Sequence, residues 1–315
     1  MKCIHDSTQI VCQNKSVVVL GNFDGVHIGH QKLLEKAREE AQNKDLEVVV
    51  FSFYPPPTWI LSTKKKELIS SRKDKAELMK RYGANTFIEY PFDIGFSTIT
   101  PEEFVENILI KELKAKCVIV GSNYHFGKGR KGDCEYLKDI ANKNDIDVNI
   151  VDTVKIEGQV VSSSVIRELI DEGDIPLVNK MLGRNYSVSG NVVHGKKLGR
   201  TIGFPTANLE TDNDRIYPPN GVYATRVMIN NKYYIGITNI GMNPTVCGKN
   251  KMIETNIFDF NDDIYNIDIH IEFYRHIRKE KKFNSLNELK RQILEDSQKV
   301  AAFFNKQTNL FANMD

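Results

Sequence analysis

Residues 17–53 constrain this chain more tightly than any other stretch. Val17 to Gly21 (VVVLG) is a β-branched run closed by glycine, the pattern of a buried strand. A glycine-bearing turn follows, and His30 to Asn43 (HQKLLEKAREEAQN) then places Leu33, Leu34, Ala37 and Ala41 at helical spacing. Glu47 to Phe53 (EVVVFSF) is a second strand. Buried strand, turn, amphipathic helix and buried strand form the repeating unit of a parallel sheet covered by helices on both faces.

The alternation continues. Lys73 to Tyr82 reads as a helix and Thr86 to Tyr90 as a strand. Thr100-Pro101-Glu102-Glu103 is a helix start, with a threonine N-cap, proline at the first helical position and glutamate three residues after the cap. Lys116 to Gly121 (KCVIVG) is another buried strand, followed by a helix over Asp133 to Asn144, a strand over Asp147 to Val151 and an amphipathic helix over Ser162 to Glu172. Ligands of such folds sit beyond the carboxyl ends of the strands. The unusual residues fall there: Gly21 to His30, Phe53 to Pro57, Gly121 to Gly132 and Ser162 to Arg167.

After Leu182-Gly183-Arg184 the texture changes. Short β-rich stretches at Tyr186–Val193, Gly221–Ile229, Lys232–Asn239, Glu254–Phe260 and Ile267–Tyr274 alternate with turn signals, which predicts a small barrel. A last amphipathic helix spans Ser285 to Phe304. At 315 residues the chain suits two domains, and the expected division is residues 1–183 and residues 184–315.

Lys and Arg total 43 against 41 Asp and Glu, a net charge of +2, so no global field favours nucleic acid or an anionic membrane. No apolar run approaches the ~18 residues of a membrane span, and the opening MKCIHDSTQIVCQNKS lacks the apolar core of a secretory signal. A cytoplasmic protein is expected. Its five cysteines, Cys3, Cys12, Cys117, Cys134 and Cys247, are scattered, which predicts free thiols rather than disulfides or a cysteine-held metal. For Cys117 and Cys134 the expected role is packing.

Two motifs mislead. Gly127 to Gly132 matches G-x-G-x-x-G, but five residues separate it from the preceding strand, whereas a dinucleotide fingerprint sits at the strand-to-helix turn itself. Gly190 to Lys197 resembles a P-loop, but it carries Lys197 where a hydroxyl must reach the metal, and Gly199, Gly203 and Pro205 follow where a helix must start.

The turn Gly21-Asn22-Phe23-Asp24-Gly25-Val26-His27-Ile28-Gly29-His30 is more specific. Glycines let backbone approach an anion, the helix start adds positive potential, and two histidines three residues apart can donate to phosphoryl oxygens. The segment resembles the HxGH signature of the nucleotidyltransferase superfamily, in the form found in bacterial FAD synthetases. Phe53-Tyr54-Pro55-Pro56-Pro57 is similar to that family's F-x-P-x-P strand end. Gly121 to Asp133, with Asn123, Phe126, Arg130 and Gly132, resembles its phosphate loop, and Ser162-Ser163-Ser164-Val165-Ile166-Arg167 resembles its S-S-T-x-I-R helix start. The resemblance implies a Rossmann-like domain. In it ATP meets Gly21, Phe23, Asp24, Gly25, His27, His30, Asn123, Arg130, Ser163, Ser164 and Arg167, and flavin meets Pro55, Pro57, Asn123 and Phe126. His27 and His30 are the expected catalytic pair. Pro56, Ser164 and His125 depart from the residues common in the family, namely histidine, threonine and arginine. Without the resemblance, Arg167 reads equally well as a surface salt-bridge partner.

In the second half, Pro205-Thr206-Ala207-Asn208 taken alone is a turn, and Glu254 in a strand-like run is either a solvated carboxylate or a placed base. Together with the run from Gly190 to Asn208, Pro219-Asn220-Gly221-Val222-Tyr223, Asn239 to Thr245 and Asp263-Ile264-Tyr265, they resemble riboflavin kinase. That resemblance implies that Gly199, Arg200, Gly203, Pro205, Thr206 and Asn208 bind ATP, with Thr206 and Asn208 at Mg²⁺. It further implies that Asn239 and Glu254 meet the flavin and that Glu254 takes a proton from its ribityl hydroxyl. Asn256 and Asn266 stand where the family commonly has histidine and glycine. The order of motifs implies a bifunctional flavin-forming enzyme acting on riboflavin, FMN and ATP, itself a monomer or weak homo-oligomer. Retention of only one activity, or a flavin or nucleotide sensor that binds without catalysis, are the alternatives.

Overall fold

The computed structural model describes residues 1–63, 65–195, 199, 203–245 and 248–312. Two compact units emerge, Met1–Ser163 and Ser164–Asp315. The division falls earlier than the change in sequence texture near residue 183.

The first unit runs β1 (Lys2–His5), β2 (Ser16–Leu20), α1 (Ile28–Lys44), β3 (Glu47–Tyr54), α2 (Pro57–Leu61), α3 (Arg72–Arg81) and β4 (Thr86–Pro91). It continues with α4 (Pro101–Glu103), which winds on as a π-helix over Phe104–Glu112, then β5 (Ala115–Gly121), α5 (Cys134–Asn142), β6 (Asp147–Val151) and a small hairpin, β7 (Lys155–Ile156) and β8 (Gln159–Val160). Six parallel strands lie in the order β1-β4-β3-β2-β5-β6. The chain steps from β2 through β3 to β4 in one direction, then restarts at β5 on the other side of β2. The loop leaving β2 therefore opens at a topological switch point.

Alternate residues of β2 enter two cores, as the period of a strand requires. Val18 and Leu20 pack with Phe104, Leu109 and Leu137. Val17 and Val19 pack with Leu33, Leu34 and Ala37 of α1 and Met79 of α3. The expected threonine cap is present as a full capping box: Glu103 N–H donates to Thr100 Oγ1 at 3.2 Å and Thr100 N–H to Glu103 Oε2 at 2.7 Å.

Among the described residues of this unit one carboxylate lies fully buried. Glu89 of β4 takes Lys75 Nζ at 2.7 Å, Arg72 Nε at 2.9 Å and His5 Nδ1 at 3.0 Å. Burial opposes its ionisation, but the charges of Lys75 and Arg72 outweigh that and hold its carboxyl below the ordinary range.

The second unit begins within α6 (Ser163–Glu172) and continues with α7 (Ile175–Leu182). Next come β9 (Tyr186–Val193), β10 (Ala207–Leu209), β11 (Gly221–Ile229), β12 (Lys232–Thr245), β13 (Gly248–Ile257), β14 (Asp268–Lys279) and α8 (Leu286–Ala312). The strands close an antiparallel barrel in the order β10-β13-β12-β11-β14-β9. Asn179 ties α7 to the barrel, accepting from Tyr186 N–H at 2.7 Å and donating to the Phe273 carbonyl at 2.9 Å. That docking explains why α7 groups with the strands that follow it. On the outside, Val300 and Phe304 of α8 pack on Val222, Ala224 and Ile237, while buried Asp296 accepts from Arg278 Nε at 2.7 Å.

The structure corrects several boundaries. The Pro-Thr-Ala-Asn stretch is not only a turn, because Ala207–Leu209 forms β10 and closes the barrel between β9 and β13. The strand expected at Glu254–Phe260 runs instead over Gly248–Ile257, and the chain leaves it through a left-handed residue, Asp259 at φ 53°. β12 extends past Asn239 to Thr245. Strand β1 and helices α2 and α7 had no sequence prediction. Cys3, Cys12, Cys117 and Cys134 are free thiols, with Cys117 and Cys134 buried as expected of packing residues. Cys247 lies outside the described residues, as do Lys196 and Lys197 of the P-loop-like run.

Because Glu89 binds its proton less readily when folded, its contribution to stability is complete above the ordinary carboxylate range and disappears as pH falls through its folded value. Urea midpoints of the first unit, measured by circular dichroism between about pH 6 and 3, are expected to fall on acidification. Glu89→Gln should flatten that slope; an unchanged slope would contradict the assignment.

Candidate active sites

The turn after β2 is held in an unusual shape. Phe23 and Val26 adopt φ of 52° and 39°, and both are fully buried, so core packing holds their strain. Gly25, at φ 77°, supplies the remaining left-handed residue without that cost. Asp24 accepts from Ile69 N–H at 3.0 Å and from Ser70 N–H at 3.3 Å, and Gly25 N–H donates to Ser70 Oγ at 2.9 Å. Asp24 thus binds the turn to the neighbouring segment.

His27 is the N-cap of α1, and its Nδ1 accepts from His30 N–H at 3.3 Å. An imidazole nitrogen that accepts carries no proton. Neutral His27 therefore bears its hydrogen on Nε2. The His27 and His30 rings stack with centroids 3.6 Å apart and planes at 16°, and Phe23 lies 5.0 Å from His30. Gly29 makes the arrangement possible, because a Cβ there would stand 3.2 Å from the His27 ring. Ser163, the first residue of α6, donates its hydroxyl to the Asp24 carbonyl at 2.8 Å. Ser164 is exposed and Arg167 half-buried on the following turns of α6.

The Gly121–Asp133 loop is pinned by a two-way backbone bridge between Phe126 and Gly132, at 2.9 and 3.0 Å. Asn123 and Arg130 are exposed on it, and Arg130 Nη2 lies 3.2 Å from His125 Nδ1. Phe126 is buried in the core, stacked parallel to Tyr124 at 5.9 Å and packed 5.6 Å from Phe104. It braces the loop from beneath. Pro55 and Pro57 are half-buried, with Pro57 opening α2. Beside this strand end the half-buried rings of Phe53 and Phe96 lie 5.3 Å apart, and Phe92 lies 5.2 Å from Phe53. Sequence reading missed Phe92 and Phe96, whose spacing sits in an irregular segment with no periodicity to mark it.

In the barrel, register does the assembling. Asn208 of β10 stands opposite Glu254 of β13, which in turn stands opposite Asn239 of β12. Three residues distant in sequence thus form one row across adjacent strands. Asn208 is buried and presses against Gly195, where any side chain would collide with its amide. Asn256 Nδ2 donates to the Pro205 carbonyl at 2.7 Å and anchors the turn that presents Thr206. Phe204 N–H donates to the Gly199 carbonyl at 2.8 Å, and Gly203 is exposed at φ 87°. Arg200 lies outside the described residues.

Thr206 lines a cavity of ≈ 280 Å³ with Thr255, Asp262, Asp263 and Tyr265. On the other side of Pro205 a groove of ≈ 530 Å³ runs between Asn256, Phe258, Phe260 and the α8 residues Leu294 and Gln298. Among the described residues no cluster of three His, Cys, Asp or Glu side chains is disposed to cage a metal. The hydroxyl of Thr206 and the amide oxygen of Asn208 are hard neutral donors, which fits Mg²⁺ arriving on nucleotide phosphates.

A histidine pair at a helix N-terminus on a parallel sheet, and an amide–carboxylate row on a closed barrel, are equipment for moving phosphorus-containing groups. They define a two-unit, nucleotide-using transferase. The chain belongs to the family of bifunctional riboflavin kinase/FMN adenylyltransferases. The FAD synthetase family profile matches residues 9–165 and the riboflavin kinase profile residues 182–304. The Bacillus subtilis (strain 168) bifunctional riboflavin kinase/FMN adenylyltransferase is 38% identical over 302 residues, covering 93% of this chain and 94% of its own. The Escherichia coli (strain K12) protein of the same description is 35% identical over 303 residues, with 96% of each chain covered. A crystal structure from Streptococcus pneumoniae described as a macrolide-efflux protein matches with a TM-score of 0.88 at 34% identity, covering 95% of this chain and 98% of that one. Among the described residues here, no helix is long and apolar enough to cross a membrane.

The cap on α1 makes a spectroscopic prediction. Long-range ¹H–¹⁵N spectra above the titration of the ring should show His27 as the Nε2–H tautomer. Gly29→Ala should perturb that signal by pushing the ring off its cap. A dominant Nδ1–H form would refute the capping geometry.

Proposed function

We propose that the barrel domain, taken as residues 184–315, phosphorylates riboflavin with ATP to give FMN and ADP, and that residues 1–183 transfer AMP from a second ATP to FMN, giving FAD and pyrophosphate. The observation that carries this reading is the Asn208–Glu254–Asn239 row, which sets a carboxylate between two amides beside the Thr206 turn.

In the kinase step the ribityl hydroxyl is a poor nucleophile at neutral pH. Glu254 accepts its proton as it attacks the γ-phosphorus. Asn239 orients the flavin side and Asn208 the phosphate side, while Gly199, Arg200, Gly203, Pro205 and Thr206 frame the nucleotide. The groove between Phe258, Phe260 and α8, aromatic with amides at its rim, suits a planar flavin ring, and the cavity at Thr206 suits the nucleotide. When bound through Thr206 and Asn208, Mg²⁺ would supply neutralisation of phosphate charge.

In the adenylyl step the FMN phosphate attacks the α-phosphorus of ATP. His27 donates from Nε2 and His30 stands stacked beside it, so both address oxygens whose charge grows as pyrophosphate departs. The N-terminus of α1 adds its positive end. Gly21, Phe23, Asp24 and Gly25 shape the turn, and Asn123, Arg130, Ser163, Ser164 and Arg167 are assigned to the triphosphate. Pro55, Pro57, Asn123 and Phe126, with the Phe53 and Phe96 rings, are assigned to the flavin. Near-balanced charge and scattered free thiols support a cytoplasmic enzyme with small-molecule partners, acting as a monomer or weak homo-oligomer without nucleic acid or membrane.

Separation of flavins after incubation with riboflavin, ATP and Mg²⁺ tests the reading directly, and absence of both FMN and FAD would end it. Glu254→Gln should lower FMN formation by about 10²–10⁴, yet FMN supplied directly should still become FAD. His27→Ala with His30→Ala should abolish FAD formation and spare FMN formation. Loss of both activities in either variant would contradict two separate sites.

A further inference from the structure

We propose that Glu89 and Arg72 are positioning residues for adenylyl transfer, holding the Gly21–His30 turn in place through α3 and the Ile69–Ser70 segment. This rests on the adenylyltransferase reading of that turn.

Glu89 is fully buried, yet three basic side chains from two elements converge on it: Arg72 and Lys75 of α3, and His5 of β1. Arg72 reaches further, gripping Asp6 with both Nη atoms at 3.1 Å. A buried ion-pair network of this kind contributes little net stability against an apolar core, but it admits few alternative arrangements. Its effect is to fix α3 on β4 in one orientation.

The residues immediately before α3 carry that orientation to the turn. Ile69 and Ser70 are both buried. Their N–H groups donate to Asp24, and the Ser70 hydroxyl accepts from Gly25 N–H. The Ile69 side chain fits against Gly25, where a Cβ would stand 3.0 Å from it. His27 follows Gly25 by two residues. The second arm is Arg72 itself, whose guanidinium lies 3.9 Å from the Tyr54 ring centroid, one residue before Pro55. One helix start therefore holds both the histidine turn and the proline-rich strand end, although α3 contributes no group to the chemistry.

The test uses the full chain, whose kinase reaction reports whether a variant is folded. Ser70→Ala and Glu89→Gln should each lower kcat for FAD formation, on the order of tenfold for a sub-ångström displacement of the turn, while FMN formation keeps its kcat and KM. Since both act through one linkage, the double variant should be no worse than the weaker single variant. Arg72→Lys, which retains charge on Glu89 but loses the flat fork over Tyr54, should raise KM for FMN more than it lowers kcat. Unchanged FAD kinetics, independent multiplication of the two effects, or an equal loss of kinase activity would each overturn the proposal. Failure of the unaltered chain to make FAD would overturn the adenylyltransferase reading and this proposal with it, whereas normal FAD formation with indifferent variants overturns the proposal alone.

Discussion

Burial of β2 on both faces is the constraint from which the first unit follows. A strand whose alternate residues enter two separate cores has no side of its own left for chemistry. Reactive groups can then appear only where the strand ends, and β2 ends at the point where strand order reverses. The turn there must leave the sheet and start α1 within a few residues, which forces positive φ at Phe23, Gly25 and Val26. That strain is tolerated because Phe23 and Val26 are locked in the core and Asp24 is tied to Ile69 and Ser70. The histidines inherit their placement from this packing.

The barrel solves the same problem with pairing rather than ends. Its interior is closed by a hydroxyl chain, Thr225 to Thr238 at 2.8 Å and Thr238 to Thr255 at 2.9 Å, all fully buried and mutually satisfied. The outer face is divided. α8 covers Val222, Ala224 and Ile237, while the row through Asn208, Glu254 and Asn239 keeps polar side chains. A one-residue slip of β13 would exchange Glu254 with Thr255 and dismantle both that row and the interior chain.

Sequence alone revealed the parts that obey local rules. β-Branched runs, helical periodicity, the capping threonine and the motif residues are properties of neighbouring positions, and the sheet, the barrel and the histidine turn were readable from them. Elements defined by distant partners were not. β10 is a strand of three residues that exists because β9 and β13 flank it, and α7 is placed by Asn179 reaching Tyr186 and Phe273. Asn256, which looked like a departure from its family, turns out to hold the Pro205 carbonyl. Phe126 matched a motif, and its packing against Tyr124 and Phe104 was not legible from that motif. Glu89 carried no local signal, since its partners lie 14, 17 and 84 residues away along the chain.

The two sites also differ in the way their nucleophiles demand. An alcohol must lose a proton to attack, which is the work proposed for Glu254 beside its amides. A phosphate monoester is already anionic near neutral pH, so the adenylyl site has no need of a carboxylate base, and a free one would repel both substrates. The single acid in the histidine turn behaves accordingly: Asp24 directs its oxygens to the backbone of Ile69 and Ser70. On the proposed assignment, the phosphate installed in the first reaction is the group that attacks in the second, and this chemistry sets their order.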